Sequence, residues 1–286
     1  MTTPQKPIGS GFGSASVHTR AVLLMLVPVL MACCASQVAA TPEGLERSGL
    51  TAYTEGRYDD ASQAFAEGIR ASERLDAPDP GLGQLLSDLA WLYHEQDRDL
   101  EADSLLQRAL AVDQKSFGSD ALPAARRTQE LGMLYQAEGR FKEAGPLLGR
   151  ALFLYEANPK ADARELAITQ AQLGLNYQAA GNLDRGEILL KKALVGLDSG
   201  MGKDPCYWAA TLIDLAELYR ASNRRSEANR MFERALREAK AVPIGDRFTR
   251  GPVCNPNSVL FRRLESIRGD RGVRTVPAKS GAEQKK

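Results

Sequence analysis

The sequence predicts an all-α chain, an α-solenoid of about five helix-turn-helix units closed by a C-terminal helix. Three observations carry that expectation. One two-helix string recurs, as "DLAWLYHEQDRDLEADSLLQRAL", "ELGMLYQAEGRFKEAGPLLGRAL", "QLGLNYQAAGNLDRGEILLKKAL" and "DLAELYRASNRRSEANRMFERAL". The small residue that opens the second helix of each unit (Ala61, Ala102, Ala144, Gly186, Ala228) returns at steps of 41, 42, 42 and 42 residues. The β-branched runs are short and nowhere alternate as a strand requires.

Each unit can be justified from its spacing. Leu89, Ala90 and Tyr93 share one stripe of a first helix, and Ala102, Leu106, Ala109 and Leu110 share one stripe of a second. Small residues stand three before the tyrosines Tyr93, Tyr135, Tyr177 and Tyr219, at Ala90, Gly132, Gly174 and Ala216. They let the helices approach, and bulky residues at Phe65, Leu106, Leu148, Leu190 and Phe232 fill the space beside them. Gly56, Gly139 and Gly181 supply turns. Asp79 before Pro80, and Asp204 before Pro205, place a capping carboxylate ahead of a proline at the first helical position. A hairpin of this kind cannot bury its own apolar stripe, so the units must stack.

The unit of about 42 residues, with "LA-x-LY", "EA-x-x-L-x-x-RAL" and a "G-x-D-x-x-P" linker, resembles the tetratricopeptide repeat in its kinesin light chain form, over roughly residues 43–240. The first unit departs from the pattern, with Ala52 in place of the tyrosine and Gly68 in place of alanine, as terminal repeats of such arrays do. The resemblance implies a right-handed superhelix whose first helices line a concave face that binds peptides or protein surfaces.

On that face the spacing sets out two ladders. Asp88, Glu130, Gln172 and Asp214 stand five residues before the tyrosines, and Trp91, Met133, Leu175 and Glu217 stand two before them. The first ladder is commonly asparagine in the kinesin light chain type. Here it is mostly acidic, which shifts the expected partner toward basic or amine-bearing segments. An acidic rail beside an apolar strip suits an extended or helical peptide, with Trp91 as its anchor.

The ends of the chain differ from its middle. Residues 1–40 carry two basic and no acidic residues, and residues 21–32, "AVLLMLVPVLMA", form an apolar run of export-signal length, shorter than a membrane span. Two processing routes fit. One is cleavage after Ala40. The other is lipid attachment at Cys33 within "LMAC", which resembles a bacterial lipoprotein box apart from Met31. An uncleaved anchor is the third reading. In an oxidising compartment Cys206 and Cys254 form a candidate disulfide, worth roughly 4 kcal/mol for a loop of about 49 residues. Residues 41–242 hold 25 basic and 32 acidic residues, whereas residues 243–286 hold ten and four. Within that basic tail "SVLFRRLESIRG" reads as a capping helix over about residues 256–268.

Catalytic signals are missing from this reading. The two histidines, His18 and His94, stand alone, and no pair has metal spacing. "GSGFGS" follows no strand and "SGMGKD" lacks the frame of a phosphate loop. The expectation is therefore a scaffold of the bacterial cell envelope, periplasmic or lipid-anchored, without enzyme activity, cofactor, metal or nucleic acid. Its partner is a protein or peptide of basic character, and any membrane contact runs through an N-terminal lipid. The alternatives are a lipid-anchored accessory subunit of an envelope or export assembly, working through its outer surface and tail, and an enzyme with its site in the groove.

Overall fold

The computed structural model describes residues 41–75, 79–199 and 205–241, and over them the chain forms ten helices and no strand. They are α1 (Pro42–Thr54), α2 (Tyr58–Ser72), α3 (Leu82–Glu95), α4 (Asp99–Phe117), α5 (Leu122–Ala137), α6 (Phe141–Ala157), α7 (Ala163–Ala179), α8 (Leu183–Ser199), α9 (Pro205–Ala221) and α10 (Arg225–Ala241). Consecutive pairs form five hairpins, and each hairpin packs on the next. The fold is the expected α-solenoid of helix-turn-helix repeats. Cys33, the Cys206–Cys254 pairing and the capping helix over 256–268 lie outside the described residues.

Within a hairpin the small-against-large pattern fixes the spacing. Ala61, Ala102, Ala144 and Ala228 are buried at the starts of the second helices. Phe65, Leu106, Leu148, Leu190 and Phe232 lie buried four residues on, and each such side chain removed from water stabilises by about 1.5–3 kcal/mol. The first helix must yield room. A Cβ on Gly49 would fall 2.5 Å from the Phe65 ring, and one on Gly132 would fall 2.9 Å from Leu148. Gly49 extends the small-residue row Ala90, Gly132, Gly174, Ala216 back into the first hairpin, which the spacing read only from the second hairpin on.

All five turns are closed alike. The residue after the turn donates its N–H to the carbonyl five residues back: Arg57 to Ala52, Arg98 to Tyr93, Arg140 to Tyr135, Asn182 to Tyr177 and Arg224 to Tyr219, at 2.7–2.9 Å. This is the Schellman closure, and it needs a left-handed residue just before the donor. Gly56, Gly139 and Gly181 supply it at φ 75–77°, and Asp97 and Asn223 adopt φ 59° in the same place. In three turns the arginine then lies over the repeat tyrosine, at 3.6 Å for Arg98 on Tyr93, 3.7 Å for Arg140 on Tyr135 and 4.1 Å for Arg224 on Tyr219.

Some repeats are also tied to each other through these tyrosines. Tyr135 donates its hydroxyl to Asp103 of α4, and Tyr219 donates to Glu187 of α8, each at 3.1 Å. The corresponding place on α6 holds Gly145, where a Cβ would lie 2.7 Å from the Asn176 amide, so that junction packs by close approach instead.

One sequence expectation is corrected. Pro80 does not open a helix. α3 begins at Leu82, and Asp79 Oδ1 accepts the Gly81 N–H at 2.8 Å, so the carboxylate closes a turn ahead of the helix. Pro205 does stand first in α9.

The turn geometry yields a test. A Cβ at Gly139 would meet nothing within 4 Å, so Gly139→Ala introduces backbone strain alone and should lower stability by about 1–2 kcal/mol. Asp97→Gly relieves the same strain and should raise stability by on the order of 0.5 kcal/mol. Urea unfolding of the two variants beside the parent measures both signs.

Candidate functional site

The first helices α1, α3, α5, α7 and α9 form the inner layer. α3 touches α5, α5 touches α7 and α7 touches α9, whereas among the described residues no two second helices approach so closely. The array therefore curves with the first helices inside. Steps of 42 residues bring Asp88, Glu130, Gln172 and Asp214 onto a common row, and the 41-residue step back to the first hairpin puts Arg47 in it.

A cavity of about 190 Å³ opens on the inner layer between α3, α5 and α7, with Tyr207 of α9 at its end. Four of the eight ladder residues meet there: Asp88 and Trp91 from α3, and Glu130 and Met133 from α5. Gln172, Leu175, Asp214 and Glu217 do not line it. The Gln172 carbonyl accepts a hydrogen bond from Gln136, and Asp214 is buried in α9. The cavity wall also contains Gln84, Ser87, Arg126, Gln129, Arg164, Glu165 and Ile168, none of which the ladders singled out.

Beneath this wall lies a buried ion-pair cluster centred on Arg127, which is 3% exposed. Its Nε donates to Asp113 of α4 at 3.1 Å, one terminal nitrogen donates to Glu130 at 2.7 Å, and the other donates to Gln84 of α3 at 2.8 Å. Ser87 Oγ donates to Glu130 at 2.7 Å. One guanidinium thus joins α3, α4 and α5, its five donors suited to several acceptors at once. The cluster is particular to this junction. At the positions equivalent to Arg127 the other repeats carry Leu85, Thr169 and Thr211, and at those equivalent to Asp113 they carry Tyr155 and Leu197. Gly83 stands where the later repeats have Ala125, Ala167 and Ala209, and a Cβ on it would lie 2.2 Å from Asp113 Oδ1. Three coordinated residues therefore make room for one buried pair. Removing one charge alone would strand the other, at a cost of about 3–5 kcal/mol. In the next repeat Tyr155 fills the Asp113 position and donates its hydroxyl to Gln129 at 2.9 Å.

The electrostatics of the row differ from its composition. Glu130 is held by Arg127, and Glu165 lies 3.2 Å from Arg164 and 3.7 Å from Arg126. Burial raises the pKa of Glu165 and of Glu46. Asp88 is pushed up to about 7, first by burial and then by the neighbouring charges of Glu46 on α1 and Glu130 on α5, against a hydrogen bond from Gln84 and the more distant charge of Arg127. Gln84 donates to Asp88 Oδ1 at 2.8 Å, and Oδ2 is buried without a hydrogen-bond partner. Beside it Trp91 meets His94 edge to face at 5.7 Å, and His94 Nδ1 lies 2.7 Å from Asp99 Oδ1. Among the described residues no group of three His, Cys, Asp or Glu side chains is placed to hold a metal ion.

Comparison with known proteins agrees with this architecture. A family model described as tetratricopeptide repeat matches residues 41–115, and a second of the same description matches residues 208–242. Over those two stretches the chain matches the tetratricopeptide repeat. No protein of curated function matches it in sequence. Among solved structures it is similar to BtubC (BKLC) from P. vanneervenii, at 23% identity and TM-score 0.60 over 70% of this chain and 80% of that one. A putative kinesin light chain repeat protein from Podosopora anserina is similar at 21% identity and TM-score 0.53, over 72% and 97%. A Rap protein in complex with Competence and Sporulation Factor is similar at 11% identity and TM-score 0.61, over 81% and 65%. At these identities the likeness is one of fold.

The Asp88 environment predicts a pH effect of definite sign. Below the ordinary carboxyl range, folded and unfolded chains are both protonated at this position. Between that range and about 7 the unfolded chain gives up the proton first, so folding stability falls as pH rises, and above about 7 the loss is complete. Asp88→Asn keeps the acceptor for Gln84 and removes the titration. Its melting temperature should exceed the parent's at pH 8 and approach it at pH 4, as read by thermal unfolding at both values.

Proposed function

We propose that this protein is a non-catalytic scaffold that holds a peptide or helix of a partner protein on its concave face, within the envelope of a bacterial cell. The observation that supports this reading best is the cavity between α3, α5 and α7. Its roughly 190 Å³ is smaller than the 300–1,000 Å³ that enclose a typical small-molecule ligand, and it matches an anchoring side chain or two of a larger partner. Trp91 and Met133 supply apolar surface there, and Asp88 and the arginines supply polar contacts, the mixture typical of a recognition site with an aromatic anchor. The similarly folded Rap protein is complexed with Competence and Sporulation Factor, which is consistent with a binding role for this fold. The acidic row favours a basic segment, and the signal-like residues 1–40 favour export, either cleaved or lipid-anchored at Cys33.

A second reading, an accessory subunit working through its outer surface, draws on exposed apolar residues of the outer layer. Phe153 of α6 is 59% exposed and Ile188 of α8 is 56% exposed.

Photocrosslinking in cells separates the two readings. A crosslinker at position 91 should capture a specific partner, and one at position 153 should not. Capture from position 153 alone would overturn the concave-face reading in favour of the outer surface.

A further inference from the structure

Three carboxyl groups line the cavity, and two of them already have cations. Glu130 is paired with Arg127 at 2.7 Å, and Glu165 with Arg164 at 3.2 Å and Arg126 at 3.7 Å. The third, Asp88, has only the neutral amide of Gln84 on Oδ1, and its Oδ2 is closed off from water with no hydrogen-bond partner. A buried acceptor left in this state carries a desolvation cost that an arriving donor would remove. Trp91 lines the same end of the cavity, three residues further along α3.

We propose that the α3 end of the cavity is a subsite for a single lysine or arginine side chain of the partner segment, its charged head on Asp88 and its methylenes against Trp91. The inference rests on the concave face being the partner site and adds the chemistry of its occupant. A charge-assisted hydrogen bond is about twice as strong as a neutral one, so a cation answers the unmet acceptor better than a hydroxyl or amide does. Only the carboxyl torsion of Asp88 has to turn to present Oδ2. That torsion is broad, so a partial turn moves Oδ2 toward the cavity while the flexible Gln84 amide follows Oδ1. The indole adds cation–π attraction and apolar cover for the side-chain stem. The subsite is selective for one cation rather than a run of them. Arg126 of α5 also lines the cavity, its side chain 45% exposed, and repels a second positive charge. Burial and the nearby carboxylates raise the Asp88 pKa, and a cation arriving beside it favours the charged carboxylate again.

Peptides selected on the full-length chain from a random 12-residue library test this. The tightest peptide is then compared with a version in which its basic residue is replaced by norleucine for lysine or citrulline for arginine, each against the parent, Asp88→Asn and Trp91→Ala. The selected peptides should share one basic residue. Neutralising it, or introducing Asp88→Asn, should each weaken binding about 10- to 100-fold, and the two losses should coincide rather than multiply. Asp88→Asn preserves the Gln84 hydrogen bond, and circular dichroism establishes that it folds. Peptides that need Trp91 but bind equally well without a basic residue, or losses that multiply, would overturn the cation subsite and leave the concave-face reading intact. Failure to recover any peptide that depends on Trp91 would overturn both.

Discussion

Everything in this molecule depends on the close approach of two helices that have no stable existence apart. The first helix of each hairpin offers glycine or alanine at one row, and the second opens on alanine or glycine and then presents a phenylalanine or leucine. Gly49 beneath Phe65 shows how little slack remains, since even a methyl group would overlap the ring. The apolar stripe left over after this contact faces the neighbouring repeat. Tyr135 and Tyr219 reach across to Asp103 and Glu187 of the preceding repeats, which adds direction to an otherwise nonspecific stacking force. The curved inner face is a product of that stacking and of nothing local.

Against this uniform background the junction of the second and third hairpins stands out. Most repeats fill the equivalent core positions with leucine, threonine or tyrosine, whereas here Gly83, Asp113 and Arg127 act together to bury an ion pair. Buried pairs are a poor source of net stability, because desolvation consumes most of the Coulomb gain. Their better-attested use is in specifying register, and five near-identical hairpins face a register problem that Arg127 answers by matching only one neighbour. The same guanidinium fixes Glu130 and Gln84, and Gln84 in turn positions Asp88. The polar floor of the cavity is thereby set from below, before any partner arrives.

The repeat was legible in the sequence because one period controls several independent signals, namely the tyrosines, the small residues, the Ala-Leu endings and the turn glycines. The turns of the second and fifth hairpins hid that signal, since Asp97 and Asn223 adopt the left-handed conformation that glycine marks elsewhere. Half of the ladder was placed at the cavity and half was not, because the cavity spans α3 to α7 and a periodic row has no information about where along it a hollow opens. Nothing local in the sequence marks Arg127, which stands among polar residues three before Glu130, as a core position. Only comparison with Leu85, Thr169 and Thr211 at the same step reveals a core position, and its partner Asp113 lies 14 residues away on another helix. Pro80 misled for a local reason, since an aspartate before a proline caps a turn as readily as a helix.

The most direct measurement is far-ultraviolet circular dichroism of the isolated second hairpin, residues 82–117, beside the full-length protein. Helices of this length are marginal in water without tertiary contacts. The hairpin alone should therefore show little helix and no cooperative thermal transition, while the full-length chain is helical and melts cooperatively. A lone hairpin that folds with a sharp transition of its own would contradict the dependence on stacking from which the groove, its cavity and its proposed partner all follow.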